Sequence, residues 1–194
     1  MPNKVKYGLK NVHYAKATIG DDGTATYDEP KPWPGAVNLS MDAQDERIVF
    51  RADNTDYYTG FANNGYEGDF ESALIPEDFR SDVLGEITSG DLKLETADQS
   101  TVHFALLFEF DGDANAVRHV FYNCTASRPG VSGKTTDTTI APETETITIA
   151  AKNIYNEPTG KNLVKARCTD TSSATYTGWY TAVKQPVSSP VTSS

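Results

Sequence analysis

Residues Tyr57–Phe79 read YYTGFANNGYEGDFESALIPEDF, and the fold turns on how this stretch is taken. It holds six aromatic residues, five acids and three glycines, and its first cation, Arg80, lies just beyond it. In an extended chain alternate side chains share a face. Tyr57, Thr59 and Phe61 therefore line one side of a strand, and Tyr66, Gly68 and Phe70 line one side of a second. Between them Asn64-Gly65 is a strong two-residue hairpin signal, so a turn is predicted at Asn63–Gly65. Glu67, Asp69 and Glu71 then fall on the face opposite the aromatics. One side asks for burial and the other for water.

The period changes immediately downstream. Ile75 to Gly85, IPEDFRSDVLG, is predicted as a short helix. Pro76 suits a helix start, and Glu77 and Asp78 face the positive end of the helix dipole. Ile75, Phe79 and Val83 make one apolar stripe, and Gly85 is a natural stop. Elsewhere the period is two. Val5–Leu9, Ala15–Ile19, Thr24–Tyr27, Arg47–Arg51, Val102–Phe110, Val117–Cys124, Glu145–Ala151, Leu163–Cys168 and Thr175–Ala182 all read as strands rich in β-branched and aromatic residues. Asp21-Asp22-Gly23 and Asp111–Asn115 read as turns. The sequence thus specifies an all-β domain with one helix, placed to plug an open end or edge. Ser127–Ala141 is long and irregular for a loop, and 185–194 reads as a tail. Trp33, between Pro32 and Pro34, is either a loop anchor or an interface aromatic.

The chain has 194 residues, enough for one domain with a real core. Its net charge of −10 repels nucleic-acid phosphates, which argues against tight DNA or RNA binding. Two cysteines, Cys124 and Cys168, make no disulfide framework and are expected as buried free thiols. The start, MPNKVKYGLKNVHYA, has no apolar leader, so synthesis in a cytoplasm without secretion is expected. The longest apolar run, Phe104–Phe108, is too short to span a bilayer. Asn38-Leu39-Ser40 and Asn123-Cys124-Thr125 match the glycosylation sequon but carry no weight without a secretory route.

Motifs for chemistry are sparse. His13, His103 and His119 sit in predicted strands at no zinc spacing, and cross-strand packing is the reading preferred for His103 and His119. Asp111-Gly112-Asp113-Ala114-Asn115 begins like a calcium loop, but Ala116 and Tyr122 stand where that template needs Gly and Glu. Glu67, Asp69 and Glu71 invite comparison with a glycosidase pair, yet that chemistry needs carboxylates in unlike environments. Three acids on one strand face read better as a solvated surface. Lys134 follows glycines, but Gly130-x-x-Gly133-Lys134 is too short for a phosphate loop. No catalytic, cofactor or metal residue is expected.

The opening MPNKVKYGLKNVHYA, the Gly65–Glu71 segment GYEGDFE and the helix Ile75–Phe79, IPEDF, resemble the major tail proteins of long-tailed phages of Gram-positive bacteria. The resemblance covers residues 1–185, leaving 186–194 as a flexible C-terminal tail. It implies a mainly β fold: two packed β-sheets, sandwich- or barrel-like, with one short flanking α-helix and long loops. It implies hexameric rings whose inner strands join around a lumen and which stack into the tail tube. The partners it implies are further copies of the chain, a tape-measure protein, tail terminator and distal tail or baseplate proteins, and genomic DNA as transient cargo. No membrane and no cofactor are implied. The place is the virion, after assembly in the host cytoplasm. On this resemblance Glu67, Asp69 and Glu71 are lumen candidates, since a negative wall repels phosphate over about 10 Å in ordinary salt. Tyr57, Tyr58, Phe61, Tyr66, Arg128 and Lys134 are candidates for contacts between subunits or rings. Pro2–Lys10, Ser127–Ala141 and the Asp53–Tyr66 hairpin are candidate stacking segments. The alternative is a β-sandwich carbohydrate-binding module with Tyr57, Tyr58, Phe61 and Tyr66 as its platform.

Overall fold

The computed structural model describes residues 7–187 except 53, 99, 111–115, 134 and 136–142. In chain order the elements are β1 (Leu9–Ile19), β2 (Ala25–Tyr27), β3 (Lys31–Pro32), β4 (Ala36–Ala52), β5 (Thr55–Ser72) and α1 (Glu77–Asp82). Then come β6 (Ile87–Ser89), β7 (Leu92–Leu94), β8 (His103–Phe110), β9 (Val117–Ala126) and β10 (Glu145–Lys152). The chain ends with β11 (Ile154–Asn156), a 3-10 turn (Glu157–Thr159), β12 (Lys161–Leu163), β13 (Lys165–Cys168) and α2 (Ala174–Thr177). The fold is mainly β, as the alternating sequence predicts.

One antiparallel sheet dominates, in the order β2-β1-β8-β9-β10-β5-β4, with β3 beside β1 and β13 beside β9. Two ribbons, β6–β7 and β11–β12, stand apart from it. The large sheet curls until β1 and β4, five places apart in that order, touch. Its halves form two layers around a core of Tyr14, Trp33, Phe70, Phe79, Phe104, Leu106, Ile147 and Ile149. Among the described residues it does not close into a barrel.

Trp33 resolves as an anchor. It is buried, with its ring 4.9 Å from Phe70 and 4.3 Å from Phe79. Its Nε1 donates to Ser72 Oγ at 3.0 Å, so one residue ties the β3 end to β5 and α1. The helix plugs the roll as its apolar stripe requires: Ile75, Phe79 and Val83 are all buried. Arg80 fixes it from outside, its Nη2 2.5 Å from Glu145 Oε1 and its Nη1 3.3 Å from Glu86 Oε1. The other oxygen of Glu145 accepts from Ile75 N at 2.6 Å.

β8 is buried on both faces. Phe104, Leu106 and Phe108 face the central core, while Ala105 and Leu107 enter a second cluster with Ala15, Val120, Tyr122, Ile154 and Trp179.

Three expectations need correction. Asn63–Gly65 is not a turn. β5 runs unbroken from Thr55 to Ser72, and the chain reverses between Ala52 and Thr55, with Asn54 left-handed at φ 61°. Asn64-Gly65 forms a bulge instead, where the β4–β5 register jumps between Ala43 and Asp45. Gly65 takes φ 97° there, and Asn63 Oδ1 accepts from its N–H at 3.0 Å. Positive φ at glycine serves a bulge as well as a turn. Secondly, Thr175–Ala182 is not a strand: it holds α2 and turns, started by the Ser173 side chain accepting from Tyr176 N and ended at Gly178. The described helices are accordingly two, not one. Thirdly, β3, the β6–β7 ribbon, β11 and residues 36–46 of β4 lay in stretches with no strand prediction.

Candidate assembly surfaces

β5 is hydrogen-bonded on both sides over its second half, to β10 and to β4. Register fixes what shares its outer face. Glu71 lies between Thr146 and Asn38, Asp69 between Thr148 and Ser40, and Glu67 between Ala150 and Asp42. The predicted acidic stripe is therefore real as a surface. Glu67 and Asp69 are exposed and Glu71 is partly so. Two hydrogen bonds order it: Thr144 Oγ1 donates to Glu71 Oε1 at 2.6 Å, and Thr148 Oγ1 to Asp69 Oδ1 at 2.9 Å. Asp42 stands opposite Glu67, a like-charge cross-strand pair that works against the sheet. Asp42 was readable in the sequence, since VNLSMD alternates polar with apolar, but only pairing shows that it joins the stripe. Beneath this face the same strands give Leu39, Met41, Phe70, Ile147 and Ile149 to the core.

β4 ends the strand order, so its outer edge has no partner strand among the described residues. Apart from where the curl brings it against β1, this 17-residue strand leaves a long unpaired edge, the kind that proteins usually shorten, cover or pair.

The first half of β5 and the second half of β4 pair only with each other. They form an arm projecting past the last β10 partner, Tyr66. Its faces follow from the register: Val49 lies opposite Thr59 and Arg47 opposite Phe61 on one side, Ile48 opposite Gly60 on the other, with Tyr58. Both faces present exposed apolar side chains, interspersed with charged ones such as Glu46 and Arg47. Phe61 is 73 % exposed, Tyr57 72 %, Tyr58 61 % and Ile48 49 %.

The other contact candidates divide. Tyr66 packs within its own chain, 5.3 Å from the Phe121 ring and with Lys165 Nζ 4.2 Å from its centroid. Arg128 lies at the surface but grips a loop beyond β7, donating to Thr96 O at 2.7 Å and pairing with Glu95 at 3.1 Å. Lys134, Pro2–Lys6, residues 136–141 of the Ser127–Ala141 loop and the tail beyond 187 fall outside the described residues, as does the Asp111–Asn115 turn.

The three histidines make structural contacts. His103 Nδ1 lies 2.7 Å from Asn123 Oδ1, His119 stacks on Phe108, and His13 stacks on Tyr180. His103 and His119 do not meet across the hairpin: His119 pairs with Phe108 in register. Both cysteines are free. Cys124 is fully buried, and burial pushes its thiol up, which suppresses the reactive thiolate. Cys168 is only partly buried, against expectation. Among the described residues no group of His, Cys, Asp or Glu is arranged to hold a metal ion, and no helix is long and apolar enough to cross a membrane.

No protein-family model matches the sequence, and no curated protein matches it significantly.

Proposed function

We propose that this protein is a structural subunit that assembles with copies of itself into the stacked rings of a phage tail tube. The observation that carries this reading is the outer face of β10, β5 and β4. It is polar and acidic, is backed by core, and lies at the open edge of the sheet. Pairing that edge with another copy extends the sheet, and closing a ring removes the edge altogether. The acidic faces then line the lumen, where carboxylates keep phosphate from binding while DNA slides past. Asp42 joins Glu67, Asp69 and Glu71 in that role. The arm, with exposed apolar side chains on both sides, reaches a neighbouring copy, and a head-to-tail contact repeated along an axis gives a tube. Tape-measure, terminator and baseplate proteins belong to the same reading.

The carbohydrate alternative draws less support from the geometry. Tyr58 and Phe61 lie on opposite faces of the arm, and Tyr66 is packed against Phe121 and Lys165. These residues do not make one stacking platform.

Electron microscopy of the purified protein over rising concentration tests the assembly. Rings or hollow rods are expected, alone or when seeded with tail-initiating proteins. A monomer under all of these conditions sinks the proposal. The lumen assignment has its own test. Changing Glu67, Asp69 and Glu71 together to lysine is expected to leave the fold and the tube intact but to slow DNA ejection. Ejection at the normal rate removes these residues from the lumen.

A further inference from the structure

The chain after β13 crosses the outer side of the sheet without joining it. Residues 169–187 cover the second cluster, burying Trp179 over Ala105, Leu107 and Val120. Among the described residues, each hydrogen bond between this strap and the sheet uses a side chain. Tyr176 OH donates to Ala116 O at 2.9 Å, and Arg118 Nη1 donates to Tyr176 O. Trp179 Nε1 reaches His119 O at 3.4 Å. Tyr122 OH donates to Lys184 O at 2.9 Å, and Gln185 Nε2 to Ala25 O at 3.0 Å. The strap's backbone bonds to itself, as in Thr177 N to Ser173 O. No ladder binds it to the sheet, so losing it breaks no strand pairing.

At one end lies a buried hub. Glu109 is 3 % exposed. Its Oε1 accepts from Asn11 Nδ2 at 2.6 Å, with Lys10 Nζ at 3.8 Å. Its Oε2 accepts from Arg118 Nε at 3.0 Å and from Tyr180 OH at 3.1 Å. The Arg118 guanidinium sits 3.8 Å from the Tyr176 ring centroid and 4.9 Å from that of Tyr180. The Tyr180 ring also stacks on His13, with centroids 4.4 Å apart. Burial, then the Glu109 charge, pushes the Tyr180 hydroxyl up, so it stays a proton donor. A buried carboxylate is tolerated only while its donors are in place. The donors come from β1, β9 and the strap, so strap closure and hub satisfaction depend on each other.

We infer that residues 169–187 are a strap that opens as a unit while the curled sheet stays folded, with Glu109 as the latch that holds it closed. Opening uncovers the apolar face of β1, β8 and β9. It also frees the segment that leads to the C-terminus. This inference stands apart from the tail-tube reading, because it concerns one chain in isolation.

Hydrogen exchange on the full chain under native conditions reads it. The amides of Tyr176, Thr177, Gly178, Trp179 and Thr181 report the strap, and those of β8 and β9 report the sheet. Strap amides are expected to exchange through an opening that leaves the sheet amides protected. Tyr180→Phe keeps the stacked ring and removes one bond to a buried charge. It is expected to speed strap exchange about tenfold and to leave the sheet unchanged. Glu109→Gln, which removes the charge itself, is expected to speed it more. Equal acceleration of strap and sheet in Tyr180→Phe overturns the separate unit. Unchanged strap exchange in both variants overturns the latch, because α2 would then be fraying locally.

Discussion

Two aromatic-bearing strand segments of this protein meet opposite fates. β8, HFALLFEF, is wrapped on both faces: Phe104, Leu106 and Phe108 face the roll, and Ala105 and Leu107 face the strap side. The arm of β4 and β5 carries Ile48, Val49, Tyr58 and Phe61 on two faces, and both are open. A run of β-branched and aromatic residues is a demand for cover, and the chain meets that demand in one place only. The difference teaches that β8 stabilises this molecule, whereas the arm's side chains add little to its core; on the proposed reading they are completed by another copy.

The largest effect should come from breaking the wrapped side. Leu106 is fully buried. Leu106→Ala is expected to cost about 4 kcal/mol, combining lost transfer energy with the cavity left behind. Urea unfolding of the variant measures it, and a loss under about 1 kcal/mol would mean that β8 is not the centre of the core.

Next comes the junction between body and arm. A Cβ built on Gly65 would lie 2.1 Å from Ala151 O, and the residue holds φ 97°. Gly65→Ala is expected to cost about 3 kcal/mol in the same measurement, from backbone strain and displacement of β10. If this position were a free-standing hairpin turn, the backbone of β10 would not block the substitution and the loss would be smaller.

The sequence made much of this legible and misplaced the rest for physical reasons. β8 and α1 were readable because burial on two faces and a one-sided apolar stripe both leave a clear period. The acidic stripe was readable because Glu67, Asp69 and Glu71 alternate within one strand. The arm's length was not, because Asn-Gly satisfies a hairpin turn and a glycine bulge equally well, and only the partner strand chooses. The bulge also keeps Phe61 and Phe70 on one face, so the predicted face survived the wrong turn. In Thr175–Ala182 the threonines and aromatics suit a strand by residue type, but Tyr176, Trp179 and Tyr180 fall at helical spacing, Ser173 caps a helical turn there, and Trp179 packs into the second cluster. The strap's anchors reach across dozens of residues, and local pattern carries no trace of them.

A milder probe of the wrapped side is alkali. Tyr122 is buried in the second cluster, and that burial pushes its hydroxyl from the ordinary 10.0 up to about 12. Tyr27, alongside with its own hydroxyl bonded to Tyr122 O, is displaced upward by the same cause. The folded protein keeps a proton that the unfolded chain gives up near pH 10. Stability is therefore full below that pH and falls as pH rises through the window toward 12. The slope is about 1.4 kcal/mol per pH unit for each such tyrosine. Urea midpoints that stay flat from pH 9 to 12 would show that Tyr122 is open to water.

The smallest effect on stability belongs to the arm, and it bears most directly on the proposed assembly. Phe61 projects from a ribbon with no packing beneath it, so Phe61→Ser removes no contact with the chain's own core. Its cost in the isolated chain is expected to stay within about 0.5 kcal/mol. If the arm's open faces are completed by a second copy, the same change removes an aromatic anchor from that contact, the kind of residue on which interfaces concentrate their energy. Polymer should then form only at concentrations more than tenfold higher, a shift that sedimentation reads directly. A variant that destabilises the monomer would place Phe61 against its own body. One that assembles normally would leave the arm's aromatics without a partner and require another surface to join the copies.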